Sequence, residues 1–251
     1  MRLLLRSNTG ELCLTEYFID RNDIPPYAIL SHAWEHGEEV TFRDLTDGTG
    51  KNKTGYNKIQ FCGQQAERDG LQYFWVDTCC IDKSSSTELQ EAINSMFRWY
   101  QNAKRCYVYL SDVISDFPNS NDECLERWKP AFEKSRWFTR GWTLQELIAP
   151  ESVDFFSKYW AYIGNKKSLE QTIHDITGIP VEALRRRPLS EFRIEERLSW
   201  AEKRCTTREE DIAYCLLGIF NIYMPLIYGE GRENALARLE KEVKNISKEN
   251  L

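Results

Sequence analysis

The sequence is most constrained by an alternation of short, uniformly apolar segments with longer segments of helical periodicity. The apolar segments are residues 27–31 (YAILS), 73–77 (YFWVD), 105–110 (RCYVYL) and 153–156 (VDFF). Segments of this kind are typical of strands that are buried on both faces of a sheet. The helical segments are residues 56–70, a stretch opened by a Ser85–Glu88 capping box, residues 136–148 and residues 168–177. Because parallel strands are joined by crossovers, this order predicts a parallel α/β sheet flanked by helices.

Other segments before residue 181 carry weaker patterns. Residues 2–5 and 12–18 predict short lead-in strands. Residues 37–54, rich in Gly, Asp and Lys, predict a loop, and residues 115–130 predict a second, acidic loop that contains two prolines. Residues 160–163 are apolar enough to predict a continuation of the fourth strand.

The pattern changes to helices alone in the last part of the chain. Thr207 and Glu210 have the spacing of a capping box, and residues 231–247 form a charged amphipathic segment. We therefore predict one domain over residues 1–251. Its predicted parts are an α/β core in residues 1–180 and a helical C-terminal extension in residues 181–251.

Composition excludes several classes of function. The 251 residues carry 33 basic and 39 acidic side chains, a net charge of −6, so the chain lacks the basic surface that nucleic acids and anionic membranes attract. No apolar run reaches the roughly 20 residues that span a bilayer. The eight cysteines include no CxxC motif, which is typical of a reduced, cytoplasmic protein.

Polar and aromatic side chains gather where the first two predicted strands end. Ser31, His32 and Trp34 follow the first strand, and Asp77 ends the second. In open parallel sheets ligands bind at the carboxyl ends of the strands, so these four residues are candidates for substrate binding. Ser and Asp are also ordinary turn formers at strand ends, and that alternative stays open here.

Two other interpretations of this region compete with substrate binding. His32, Glu35 and His36 spell H-x-x-E-H, a zinc-protease pattern, but that chemistry needs a helix and here the motif leaves a strand. We therefore predict no metal site. Cys79 or Cys80 could act as a thiol nucleophile beside His32, although buried cysteines are more often inert.

The segment from Ser135 to Leu147 contains the candidate catalytic residue. Trp142 and Glu146 are four residues apart and therefore share one face of the predicted helix. A carboxylate beside an indole is partly desolvated, which raises its pKa. The alternative is a surface glutamate on a helix that the tryptophan anchors.

Several segments together resemble the HET (heterokaryon incompatibility) domain of fungal proteins. They are residues 26–34 (PYAILSHAW), 75–82 (WVDTCCID), 95–100 (SMFRWY), 136–150 (RWFTRGWTLQELIAP), 197–200 (RLSW), 206–220 (TTREEDIAYCLLGIF) and 224–231 (MPLIYGEG). The resemblance covers nearly the whole chain in the family's order. It implies an effector of programmed cell death after non-self recognition, fused to or recruited by a receptor with an NTPase and repeats.

The strand–helix order and the segment Ser135–Leu147 also resemble, more remotely, a Toll/interleukin-receptor (TIR) domain. This resemblance implies a TIR-like (flavodoxin-like) parallel sheet flanked by helices, with an added helical C-terminal region. In many TIR domains the glutamate at the position of Glu146 is the catalytic residue of an NAD glycohydrolase. Trp142 or Trp34 would then stack on nicotinamide or adenine. Ser31, His32 and Asp77 would bind ribose or phosphate.

Two functions follow as alternatives. The first is an enzyme that self-associates on activation and consumes NAD, or a related nucleotide, as its substrate without a resident cofactor. The second is a non-enzymatic adaptor module that recruits partners by homotypic assembly. A Glu146 that points into a concave pocket with Ser31 and Trp34 would favour the enzyme, whereas a salt-bridged Glu146 on a flat surface would favour the adaptor.

Overall fold

We analysed a computed structural model that describes residues 1–7, 9–114 and 128–249. The predicted acidic loop over residues 115–130 lies outside these residues, apart from its last three positions. Among the described helices, none is long and apolar enough to cross a membrane.

The described strands form one seven-stranded sheet in the order β2-β1-β4-β3-β5-β6-β7. The strands are β1 (Leu4–Arg6), β2 (Leu12–Leu14), β3 (Tyr27–His32), β4 (Tyr73–Trp75), β5 (Arg105–Tyr109), β6 (Val153–Phe156) and β7 (Tyr162–Asn165). The four central strands β4, β3, β5 and β6 are parallel, whereas β1, β2 and β7 add antiparallel edges.

The parallel strands follow the flavodoxin-like order. The chain passes from β3 to β4 on one side and then crosses over β3 to place β5 and β6 on the other side. The direction of winding therefore reverses between β3 and β5, and at such a reversal a crevice opens at the carboxyl ends of the strands. The predicted α/β fold class is confirmed, with mixed edges on a parallel centre.

Helices cover both faces of the sheet and form the C-terminal part of the chain. They are α1 (Phe42–Thr46), α2 (Thr54–Arg68), α3 (Asp77–Cys80), α4 (Ser86–Asn102), α5 (Lys129–Glu133), α6 (Thr143–Ile148), α7 (Glu170–Thr177), α8 (Val181–Leu184), α9 (Ile194–Ser199), α10 (Asp211–Tyr214), α11 (Leu217–Phe220) and α12 (Gly231–Glu249). In the described residues beyond β7 there are helices and turns but no strand, which confirms the predicted helical C-terminal region.

Aromatic side chains fix the helices to the two faces of the sheet. On one face Phe61 of α2 packs edge-on against Phe156 of β6, with ring centroids 4.9 Å apart. On the other face Trp75 of β4 contacts Trp99 of α4 at 5.5 Å. All six residues of β3 are buried, because the strand lies at the centre of a sheet that is covered on both sides. This double burial explains why the central strands are predominantly apolar.

The prediction that residues 160–163 continue the fourth strand is wrong. The chain turns at Ser157, whose hydroxyl accepts hydrogen bonds from the N–H groups of Tyr159 and Ala161, and β7 returns antiparallel to β6. Trp160 takes a left-handed backbone conformation (φ 64°). Its ring stacks on Phe61 at 4.4 Å and on Tyr109 at 4.1 Å. This packing holds a turn that no local pattern indicates.

The single helix predicted over residues 136–148 is also wrong. The segment consists of a 3₁₀ turn (Arg136–Thr139) followed by α6. Between them the chain is extended, because Cys205 donates its N–H to the Thr139 carbonyl (2.7 Å) and accepts from the N–H of Gly141 (2.9 Å). A Cβ atom at Gly141 would lie 2.5 Å from Thr206 Cγ2, so only glycine allows this close pairing.

The predicted capping box at Thr207 and Glu210 does not form. The helix that follows, α10, starts only at Asp211, and the Thr207 side chain does not cap it. The Glu210 carboxylate instead accepts the backbone N–H groups of Gly229 (2.8 Å) and Gly231 (3.2 Å). Glu210 thereby ties the turn before α10 to the start of α12.

Candidate functional site

A cavity of about 210 Å³ opens at the carboxyl ends of β3 and β4, beside the reversal of the sheet. Five of the six predicted site residues line it: His32, Trp34, Asp77, Trp142 and Glu146. The sixth, Ser31, is fully buried directly behind Glu146. The structure therefore brings together residues that lie up to 115 positions apart in the sequence.

A chain of hydrogen bonds orients Glu146. The Trp137 indole N–H donates to the Ser31 hydroxyl oxygen over 2.8 Å. The Ser31 hydroxyl donates in turn to a carboxyl oxygen of Glu146. Because an indole nitrogen can only donate, the direction of the first bond is fixed. The sequence pattern around Trp137 is typical of a core residue, so the sequence analysis did not identify its contribution to the site.

The Glu146 carboxyl is buried and forms no ion pair among the described residues. It is 8% exposed, and among the described side chains no lysine, arginine or histidine nitrogen lies within 4.0 Å of its oxygens. Burial raises the pKa of Glu146 to about 8, and the negative charge of Asp77 adds to the shift, although the Ser31 hydrogen bond opposes it. Glu146 is therefore mostly protonated at pH 7.

The Asp77 carboxylate lines the same cavity but, unlike the Glu146 carboxyl, lies beside basic side chains. His32 Nε2 lies 3.1 Å from one carboxylate oxygen, and the Lys83 ammonium lies 3.9 Å from the other. Burial alone would raise the pKa of Asp77, but the charges of Lys83, His32 and Arg140 outweigh it and hold this pKa below the ordinary value. The surroundings of the cavity thus favour the neutral form of Glu146 and the ionised form of Asp77.

His32 lies between the carboxylates of Asp77 and Glu39 and is not paired with a second histidine as a metal ligand would be. Its Nδ1 atom lies 3.7 Å from Glu39, which pairs with the buried Lys58 ammonium at 2.6 Å. His36, the other histidine of the H-x-x-E-H pattern, is exposed at the surface. Within residues 1–7, 9–114 and 128–249 no group of three or more His, Cys, Asp or Glu side chains could hold a metal ion.

The mouth of the cavity is cationic and aromatic. Trp34 is 41% exposed, and the Lys83 ammonium lies 3.7 Å from the centre of its ring. The Arg140 guanidinium lies 5.9 Å from the same ring. At these distances cation–π attraction orients the indole. Neither Lys83 nor Arg140 carries a local sequence signal that would have identified it.

The helical C-terminal region forms one wall of the cavity. Asp211 of α10 accepts a hydrogen bond from the Trp142 indole (3.1 Å) and another from the Tyr228 hydroxyl (2.9 Å). Arg208 stacks over the Tyr228 ring at 4.1 Å. The site is therefore shared between the α/β core and the helical region, which sequence reasoning did not foresee.

Two buried cations fix α6, the six-residue helix that carries Glu146. At its start Arg204 donates to the Arg140 carbonyl and to the Thr143 hydroxyl, both at 2.9 Å. At its end Lys166 donates to the Leu147 carbonyl at 3.3 Å and to the Pro150 carbonyl. A helix this short has few bonds of its own, so these contacts hold the backbone of Glu146 in place.

The two adjacent cysteines do not reach the cavity. Cys79 is fully buried and Cys80 is 2% exposed, and both belong to the apolar core. Burial raises the pKa of Cys79 well above its ordinary value. Nucleophilic cysteines need a lowered pKa and access to substrate, so the thiol-nucleophile interpretation finds no support in the structure.

The hydrogen bond from Trp137 to Ser31 can be tested with a matched pair of substitutions. Trp137 and Trp75 are both buried, but the Trp75 indole N–H has no partner among the described residues. We expect Trp137→Phe to lower the free energy of unfolding by about 1–2 kcal/mol more than Trp75→Phe, as measured in urea. Equal losses in the two variants would show that this hydrogen bond contributes nothing.

The fold and site together define a class: an α/β protein of flavodoxin-like strand order whose strand-end cavity is lined by a glutamate and an aspartate in surroundings that favour opposite protonation states. Residues 27–123 match the family model described as "Heterokaryon incompatibility protein (HET)". Over 244 residues, 97% of this chain, the sequence is 59% identical to "Vegetative incompatibility protein HET-E-1" of Podospora anserina. The predicted resemblance to the heterokaryon incompatibility family is thus confirmed.

The chain spans 18% of the length of that relative. No solved structure matches the chain. The remote resemblance to TIR domains therefore stays a prediction, although the strand order agrees with it.

Proposed function

We propose that this chain is a cell-death effector of fungal heterokaryon incompatibility that hydrolyses NAD to nicotinamide and ADP-ribose when it self-associates. The family match and the name of the Podospora relative support the biological role. Because the chain spans only 18% of that relative, fusion to, or recruitment by, a larger receptor is part of the proposal.

The observation that carries the enzymatic part is the placement of Glu146. Its carboxyl lines a concave cavity together with Trp34, and Ser31 holds it from behind. A glutamate that served only to stabilise a surface would be exposed and paired with a cation. Burial of an unpaired carboxyl costs stability, and such a cost is typical of functional sites.

The chemistry suits this set of residues. Ordinary glycosidases need two carboxyl groups because the leaving alkoxide must be protonated. Nicotinamide in NAD is a cationic pyridinium that leaves as a neutral molecule, so no acid is required. The protein has only to stabilise positive charge on the ribose and to accept a proton from water.

The size and charge of the cavity indicate how NAD would lie in it. A volume of about 210 Å³ is below the roughly 300–1,000 Å³ of sites that enclose a drug-sized ligand, so we place only the nicotinamide–ribose end inside. The ionised Asp77 suits ribose hydroxyls and repels phosphate. The diphosphate would lie at the mouth, where Lys83, Arg140 and Arg208 supply positive charge.

The proposal is tested by incubating NAD with the purified chain, at high concentration and when clustered on a scaffold, and separating the products by chromatography. We expect nicotinamide and ADP-ribose from the wild type. Glu146→Gln should lower their rate of formation by at least about 100-fold, the usual effect of removing a proton-transfer group. Glu133→Gln, an exposed glutamate at the end of α5, serves as the control and should retain wild-type turnover.

Two results would contradict the proposal. Equal turnover by the wild type and Glu146→Gln would show that Glu146 is not the catalytic residue. If the clustered wild type does not cleave NAD, the non-enzymatic adaptor becomes the favoured function. Homotypic assembly would then be the activity to measure. A cyclic product in place of ADP-ribose would correct the reaction from hydrolysis to cyclisation.

A further inference from the structure

Three carboxyl groups line the cavity, those of Asp77, Glu146 and Asp211, and the surroundings of the first two differ. Asp77 has nitrogen partners on two sides, with His32 Nε2 at 3.1 Å and the Lys83 ammonium at 3.9 Å. The partners of the Glu146 carboxyl are hydroxyl groups, those of Ser31 and Tyr100. Two carboxyl groups placed in environments that favour opposite protonation states are the usual arrangement for dividing acid–base work.

We propose that Asp77 supplies the permanent negative charge that stabilises the ribosyl cation, and that Glu146 is the base that accepts the proton of the attacking water. This inference rests on the proposed function and assigns Asp77 a catalytic role there in place of simple ribose or phosphate binding. The roles follow from which carboxyl is paired with cations, which the structure fixes independently of the substrate.

The reaction balances with these two groups and one water molecule. The bond between C1′ of the ribose and the pyridinium nitrogen breaks, and its electron pair goes to the nitrogen, which leaves neutral nicotinamide. The water oxygen forms the new bond to C1′. The water's proton passes to the ionised Glu146 carboxylate, which later releases it to solvent, and the other product is ADP-ribose.

Glu146 must lose its proton before it can act as a base, so the rate depends on pH. Burial raises the pKa of Glu146 to about 8, and the charge of Asp77 contributes to that rise. The other titratable or charged groups that face Glu146 from the surrounding elements are Tyr100 of α4, Cys106 of β5, Arg140 and Arg204. Removing the charge of Asp77 should therefore make Glu146 easier to ionise.

The test is the pH dependence of kcat for nicotinamide release from NAD between pH 5.5 and 9.5. For the wild type we expect kcat to rise with pH and to level off above about 8. Asp77→Asn should lower the plateau by at least about 30-fold and move the midpoint of the rise to lower pH. Asp175→Asn, an exposed aspartate of α7, is the control and should change neither.

A shift of the midpoint distinguishes a charge effect from lost packing. If Asp77→Asn lowers kcat and leaves the midpoint where it is in the wild type, Asp77 acts only as a structural residue and the proposal is wrong. The proposal is also wrong if Asp77→Asn reaches the same plateau value of kcat at high pH as the wild type. A wild-type kcat that falls with rising pH would show that Glu146 acts as an acid, not as a base.

The protonation states can be measured without turnover, which separates this inference from the proposed function. In a ¹³C NMR titration of side-chain carboxyl groups, the signal that Glu146→Gln removes should shift near pH 8. The signal that Asp77→Asn removes should titrate below the ordinary pH range of an aspartate, because Lys83 and His32 lower the pKa of Asp77. If these signals behave as stated but NAD is not cleaved, the proposed function and both catalytic roles are wrong, whereas the charge assignment holds. If the two signals titrate together near pH 4, the charge assignment itself is wrong.

Discussion

Glu146→Gln is expected to make the protein more stable at alkaline pH, although it removes the proposed catalytic group. The buried carboxyl has a folded-state pKa of about 8 against an ordinary value of 4.5. Below about pH 4.5 the carboxyl is protonated in both states and carries no penalty. As the pH rises, the unfolded chain releases this proton while the folded chain retains it, so the wild type loses stability until the pH reaches about 8.

The size of the loss follows from the pKa difference. Each pH unit in this window costs the wild type about 1.4 kcal/mol, which amounts to about 4–5 kcal/mol above pH 8. Glutamine carries no charge at any pH but brings two amide N–H donors into a buried site, at a cost of about 1–3 kcal/mol. We therefore expect Glu146→Gln to be the less stable protein near pH 5 and the more stable one, by about 1–4 kcal/mol, at pH 9.

Urea unfolding of both proteins at pH 5, 7 and 9 measures this difference. Glu133→Gln, at an exposed position, should show a difference from the wild type that does not change with pH. A Glu146→Gln difference that stays constant from pH 5 to 9 would show that Glu146 is ionised in the folded protein. That result would also contradict the proposed division of roles between Glu146 and Asp77.

Gly218→Ala is expected to cause the largest loss of stability. Gly218 lies in α11, where the helical C-terminal region packs against α4. A Cβ atom at this position would lie 2.0 Å from the Cβ atom of Phe97, so the two helices would have to move apart. Overpacking of this kind costs about 3 kcal/mol or more, and we expect it to disrupt the cavity wall that Asp211 and Tyr228 provide.

The neighbouring Asn221 offers a control position at which a substitution should change the stability little. Asn221 follows α11 with a left-handed backbone (φ 55°), a conformation that glycine adopts without strain. Asn221→Gly should therefore leave the thermal midpoint within about 2 °C of the wild type, whereas Gly218→Ala should lower it by more than about 6 °C. A Gly218→Ala protein with the wild-type midpoint would contradict the close packing of α11 on α4.

The sequence was sufficient to predict those elements whose cause is a pattern of neighbouring residues. The centre of the sheet was predictable because β3, β4, β5 and β6 are mostly buried and therefore predominantly apolar. The break at Gly141 was not, because its cause is Cys205, more than sixty residues further along the chain. The failed capping box at Thr207 has the same origin, since Glu210 binds distant backbone groups instead.

The same distinction applies to the site. Ser31, His32 and Asp77 were predictable because strand ends are marked in the sequence, and Glu146 because it shares a helix face with Trp142. Trp137 could not be recognised, since a buried indole that donates to a serine has the same pattern as one that only packs. Asp211 and Tyr228 reach the cavity only through the packing of the helical region, which no spacing in the sequence encodes.

The most direct test of the central claim is the release of nicotinamide from NAD by clustered wild-type protein and by Glu146→Gln at pH 9. At this pH Glu146→Gln is expected to be folded and more stable than the wild type, so a loss of activity cannot be ascribed to unfolding. The account predicts equal amounts of nicotinamide and ADP-ribose from the wild type and at least a 100-fold lower rate from the variant. Cleavage of NAD at the wild-type rate by folded Glu146→Gln would contradict it.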